Sequence, residues 1–131
     1  MMTPHRFLLV AAGIFGAIGI ALGAFGAHGL QASLAERGMT HAWESAARYQ
    51  MLHVVALLAA AAWVRVARGA AVSRVVWAGR LWCAGIFLFS GSLYWLATGG
   101  PRWLGPVTPL GGVAFIAGWL LIAAAAWARE E

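Results

Sequence analysis

Long apolar stretches alternate with short polar ones along this chain, and four of the apolar stretches are long enough to cross a bilayer. A spanning helix needs about 20 mostly apolar residues at 1.5 Å rise each. The first stretch covers residues 7–27. The second covers residues 51–66 and is preceded by a polar helical extension from about residue 41. The third covers 77–97 and the fourth 110–127. The pattern predicts an all-α membrane protein, with four transmembrane helices in a compact bundle and a single polytopic domain over residues 1–131.

Loop residues punctuate these spans. Gly29 and Gly38 bracket the segment LQASLAER, predicted as a short interfacial helix with Leu30 and Leu34 on the membrane surface. Thr40 reads as the N-cap of the second helix, with Glu44 in its first turns. Residues 98–109 hold several glycines and three prolines, so they read as a structured loop. Thr108 then reads as an N-cap, with Pro109 at the first helical position. The first apolar run exceeds the length of a signal-peptide core and ends without a convincing small-x-small cleavage site. A retained helix is therefore expected.

Composition supports the membrane reading. Hydrophobic residues make up 63% of the chain and charged residues only 10%, whereas soluble domains carry about a quarter charged residues. The net charge is +5, and all nine Lys/Arg positions are arginine. Most stand at the ends of apolar runs, where cations face head groups and set topology, so nucleic-acid binding is not expected. Arg6, Arg65, Arg68, Arg74, Arg80 and Arg129 fall on one predicted side, and Arg37, Arg48 and Arg102 on the other. This imbalance predicts cytoplasmic termini. Trp63, Trp77 and Trp127 fit interfacial anchors on one side, and Trp43, Trp95 and Trp103 on the other. Cys83 has no second cysteine to pair with and reads as a small buried apolar residue.

A small-residue stripe marks the first span. Gly16, Gly19, Gly23 and Gly26 fall within about an 80° arc of one helix face. Gly111, Ala114, Gly118 and Ala125 form a similar stripe in the fourth. Such faces let helix backbones approach where no hydrophobic effect drives them together. The stripes serve either packing inside one bundle or a homodimer contact.

Unusual chemistry concentrates in THAWESAARYQMLHVVALL, at the second helix. Glu44 and Arg48 are four apart in the favourable order for pairing. Tyr49 and His53 are four apart on roughly the opposite face. An ionisable group such as His53 inside an apolar run requires a partner. The candidate polar cluster is His28, Glu44, Arg48, Tyr49, Gln50 and His53. Three readings are open: a structural hydrogen-bond network, a proton, ion or small-solute pathway, and a metal or haem site using His28, His41 or His53 with Met39 or Met51. No HxxxH spacing supports the last. There is no Gly-x-Ser-x-Gly and no phosphate loop. Glu130 and Glu131, the one close carboxylate pair, read as solvated tail. No catalytic, cofactor or metal residue is assigned, and the chain is not expected to be an enzyme. Its expected partners are the lipid bilayer and either a second copy or another membrane protein.

Four motifs stand in order: GAFGAHGL, WESAARYQMLHVVALL, FSGSLY and TPLGGVAFIAGW. In these the chain resembles the YgdD-like family, also described as transmembrane protein 256-like or domain of unknown function 423. The resemblance covers nearly the whole chain. It implies a small bacterial inner-membrane protein of about four helices and supplies no catalytic role. Residues in the motif blocks are Gly26, His28, Gly29, Glu44, Tyr49, Gln50, His53, Ser90, Gly91, Tyr94, Pro109, Gly111 and Gly112.

Overall fold

A computed structural model describes residues 1–128; Arg129, Glu130 and Glu131, read above as tail, lie outside the described residues. Six α-helices follow one another: α1 Pro4–Ala27, α2 Gln31–Glu36, α3 Thr40–Trp63, α4 Ala70–Gly85, α5 Ser92–Ala97 and α6 Val107–Ala126. A π-helical segment, Ile86–Gly91, joins α4 to α5 without a break, and a 3₁₀ turn, Arg102–Leu104, precedes α6. The described residues are all-helical, with the expected four long rods.

Three rods are long and apolar enough to cross a membrane: Pro4–Ala27, Ala70–Ala97 and Arg102–Ala126. The fourth, α3, has the same 24 residues as α1, or about 36 Å of helix, against a hydrocarbon core of about 30 Å. Its first half is polar, yet Trp43, Ala46, Gln50, His53 and Leu57 are buried. Among its polar residues, Gln50 and His53 turn inward to the other helices. Protein therefore solvates what lipid could not.

The bundle is two close helix pairs joined through its middle. α1 packs along α3, and α4 packs along α6, while the π-helical segment touches both α3 and α6. The main core gathers Leu8, Leu57, Val75, Trp82, Ile86 and Phe115. A smaller one under α2 holds Leu34, Trp43 and Ala97.

Several local expectations are corrected. Leu34 is buried and Leu30 packs beside it, so α2 turns its apolar side onto the bundle rather than the membrane surface. Gly38, at φ +65°, ends that helix in the left-handed conformation. Thr40 is the first residue of α3, not its cap, and Met39 precedes it without a side-chain cap bond. Likewise α6 starts at Val107. The Thr108 hydroxyl turns to Ser92 Oγ, at 2.6 Å, instead of capping. The third helix begins seven residues earlier than expected, which places Arg74 on the helix rather than in a loop.

Candidate functional site

Buried polar chemistry lies along α3, where one face meets α1 and another meets α6. Towards α1, Gln50 is only 2% exposed. Its Nε2 donates to the Phe15 carbonyl at 2.8 Å, and its Oε1 accepts from the Tyr94 hydroxyl at 2.9 Å. One helical heptad earlier, the Trp43 indole N–H donates to the Leu22 carbonyl at 2.9 Å. Trp43 is 4% exposed, so it is a buried linker rather than the lipid-facing anchor its position suggested.

The glycines of α1 explain how α3 reaches those carbonyls. A helical side chain covers the turn on its N-terminal side, so residue i+4 overlies the carbonyl of residue i. Gly19 stands four after Phe15, and Gly26 four after Leu22. A Cβ at Gly19 would lie 2.6 Å from Met51 Sδ and 3.1 Å from Gln50 Nε2, and one at Gly26 would overlap the Trp43 indole. Each missing Cβ uncovers the free lone pair of a carbonyl already bonded inside α1. Gly16 is looser, with a Cβ 3.3 Å from Val54 Cγ1. At Gly23 a Cβ would meet nothing within 4 Å, so Gly23 is not part of the internal contact its stripe predicted.

The second pair repeats the spacing with different chemistry. Gly118 receives the Trp82 indole, and Gly111, a heptad away, lies against the Phe89 backbone in the π-helical segment. Trp82 Nε1 is the one fully buried side-chain nitrogen without a hydrogen-bond partner among the described residues. Phe89 replaces the amide that Gln50 supplies in the first pair. The π-helical segment also anchors to α3, where Ser90 Oγ donates to the Ala46 carbonyl at 2.7 Å.

Towards α6, His53 is 2% exposed. The Trp119 indole N–H donates to its Nε2 at 3.1 Å. An indole nitrogen only donates, so Nε2 accepts and the ring proton sits on Nδ1. Nδ1 lies 2.7 Å from the Tyr49 carbonyl, to which it donates. His53 is therefore a neutral imidazole with both nitrogens engaged. Its ring stacks on Phe115, centroids 3.7 Å apart and planes 9° from parallel. The expected Tyr49–His53 pair exists, but through the Tyr49 backbone. The Tyr49 ring packs on Phe89 instead, 5.0 Å away.

The predicted cluster thus divides. Gln50 and His53 are buried in separate contacts, while Tyr49, whose ring rests on Phe89, is exposed along with His28, Glu44 and Arg48. His41 stands about 18 Å along α3 from His53. Among the described residues, no three His, Cys, Asp or Glu side chains converge in a metal-binding group. Beside His53 runs an apolar groove of about 450 Å³, lined among others by Leu52, Phe115, Ile116 and Trp119. Trp119 carried no signal in the sequence, since nothing in a single chain links it to a histidine 66 residues away. Trp43 and Gln50 did carry one, because they repeat the seven-residue spacing of Gly19 and Gly26.

Apolar rods held by side chains that bond neighbouring backbones define a polytopic helical membrane protein. The chain belongs to the family described as protein of unknown function DUF423, whose model matches residues 22–112. It is 46% identical over 103 residues to a UPF0382 membrane protein of Staphylococcus haemolyticus, covering 79% of this chain and 80% of that one. The UPF0382 membrane protein YwdK of Bacillus subtilis is 39% identical over 121 residues, covering 92% and 96%. No solved structure matches the chain.

Proposed function

We propose that this chain is a structural or interaction component of the bacterial inner membrane, without enzymatic activity. One observation carries the reading: the buried polar groups of α3 are engaged inside the bundle. Both nitrogens of His53 and both ends of the Gln50 amide have partners. A proton or ion pathway would need groups free to exchange partners along a polar path. His53 has no free nitrogen, and its neighbouring groove is apolar.

The test pairs transport with capture. Wild-type proteoliposomes carrying a pH-sensitive dye should show no proton flux above protein-free vesicles, and His53→Gln should match them. Co-purification from detergent-extracted membranes should recover a reproducible membrane-protein partner or a second copy. Wild-type flux abolished by His53→Gln would sink the reading in favour of a transporter.

The orientation belongs to this proposal as well, with both termini cytoplasmic on the strength of the arginine imbalance. Reporter fusions at the N-terminus, residue 70 and the C-terminus should give a cytoplasmic signal. Fusions near residues 38 and 103 should not, and a cytoplasmic signal near 103 contradicts the arrangement.

A further inference from the structure

Positive charge gathers where α1 begins, α3 ends and α4 begins. Arg65 and Arg68 are exposed in the α3–α4 connection, and Arg6 is exposed on the first turn of α1. Among the described residues both carboxylates, Glu36 and Glu44, belong to the opposite end of the bundle. Two arginines at the basic end have internal contacts. Arg74 Nη1 donates to the Ala124 carbonyl in the last turn of α6, where a cation complements the helix terminus. Arg80 lies over the Trp77 ring, 4.9 Å from its centroid.

A groove of about 460 Å³ opens within this end, lined by Thr3, Pro4, His5, Val64, Arg65 and Val72. Val64 is buried and Val72 half-buried, so they make an apolar wall. Thr3, His5 and exposed Arg65 supply a hydroxyl, an imidazole and a guanidinium. Thr3 Oγ1 and His5 Nδ1 are already within 3.3 Å of each other. Because the groove sits where three long helices meet their ends, it lies at head-group depth. Exposed Trp77 and half-buried Trp63 mark the same level. An apolar wall beneath a cationic rim fits an amphiphile whose head is an anionic phosphate, which the guanidinium fork matches. Basic pockets between spanning helices recognise anionic head groups by this means.

We propose that this groove seats the phosphate of an anionic glycerophospholipid. Arg65 is its principal contact, Thr3 and His5 are neighbouring polar groups, and the Val64–Val72 wall lies beneath the glycerol and first acyl carbons.

The experiment is native mass spectrometry of the full chain in detergent, with equimolar phosphatidylglycerol and phosphatidylcholine. Wild type should retain phosphatidylglycerol in preference. Arg65→Gln should lower that preference about fivefold, the scale expected for one arginine at an anionic surface. Arg102→Gln, at the opposite end, should leave it unchanged. If Arg65→Gln does not fold, Thr3→Ala combined with His5→Gln supplies the test and should also lower the preference. Equal retention of the two lipids by wild type overturns the proposal. So does an unchanged preference in the folded groove variant, or an equal loss in Arg102→Gln, which would point to the general field of the chain.

Discussion

Gly26→Leu should destabilise the bundle severely, while Gly23→Leu, one turn away on the same stripe, should leave it folded. At Gly26 even a Cβ overlaps the Trp43 indole. Trp43 is held between Leu34 and Ala97 in the smaller core and cannot swing aside without opening it. The added side chain also covers the Leu22 carbonyl and strands the indole N–H. Overpacking costs about 1–3 kcal/mol and an unsatisfied buried donor about 1–3 kcal/mol more, for a loss of roughly 3–5 kcal/mol. At Gly23 the new side chain enters open space. Thermal unfolding of both variants in detergent checks this pair. Equal melting temperatures would refute close α1–α3 contact through Gly26. A Gly23→Leu chain that stays folded but loses a dimer seen in wild type would assign the open face to contact between copies.

His53→Ala should cost roughly 2–4 kcal/mol, combining a cavity with a lost acceptor. The Phe115 ring loses its stacking partner at 3.7 Å, and the Trp119 N–H loses the nitrogen it bonds. Lipid offers that N–H no replacement within the hydrocarbon region. Release of the Tyr49 carbonyl costs little, since it remains bonded inside α3. His53→Gln restores an acceptor within reach of Trp119 but no stacked ring, so it should recover about half the loss. Thermal unfolding measures the stability. Trp119 N–H hydrogen bonding, followed by indole vibrational spectroscopy, separates the two causes. The indole signal should shift in Ala and return towards wild type in Gln. Wild-type stability in His53→Ala would remove the structural role of this contact.

Much of the architecture was legible in the sequence because lipid imposes a coarse rule. Every backbone polar group must be satisfied within its own helix, so runs of about 20 apolar residues announce the rods before any packing is known. Even α3 could be placed, although its polar first half departs from the rule, because helical periodicity continues through it. The small-residue stripe of α1 was likewise visible, since glycine spacing projects directly onto a helix face.

What the tertiary structure decided was how the rods use those faces. Helix faces alone could not separate Gly26 from Gly23: both lie on the stripe, but only Gly26 has an indole standing opposite. Nor could they show that Trp43, with the outward signature of an interfacial anchor, is buried against α1. Cap positions shifted for a related reason: the Thr108 hydroxyl pairs with Ser92 on the neighbouring rod and reaches back to the Leu104 carbonyl, rather than capping the amides of α6. The sequence required His53 to have a partner, because an unsatisfied imidazole in an apolar span is costly. That Trp119 fills the role follows from the packing of α6 against α4 and the π-helical segment, which alone sets the indole N–H 3.1 Å from Nε2. Local pattern determines which residues must be satisfied. Which atoms satisfy them depends on distances between helices, and those arise only when the helices pack.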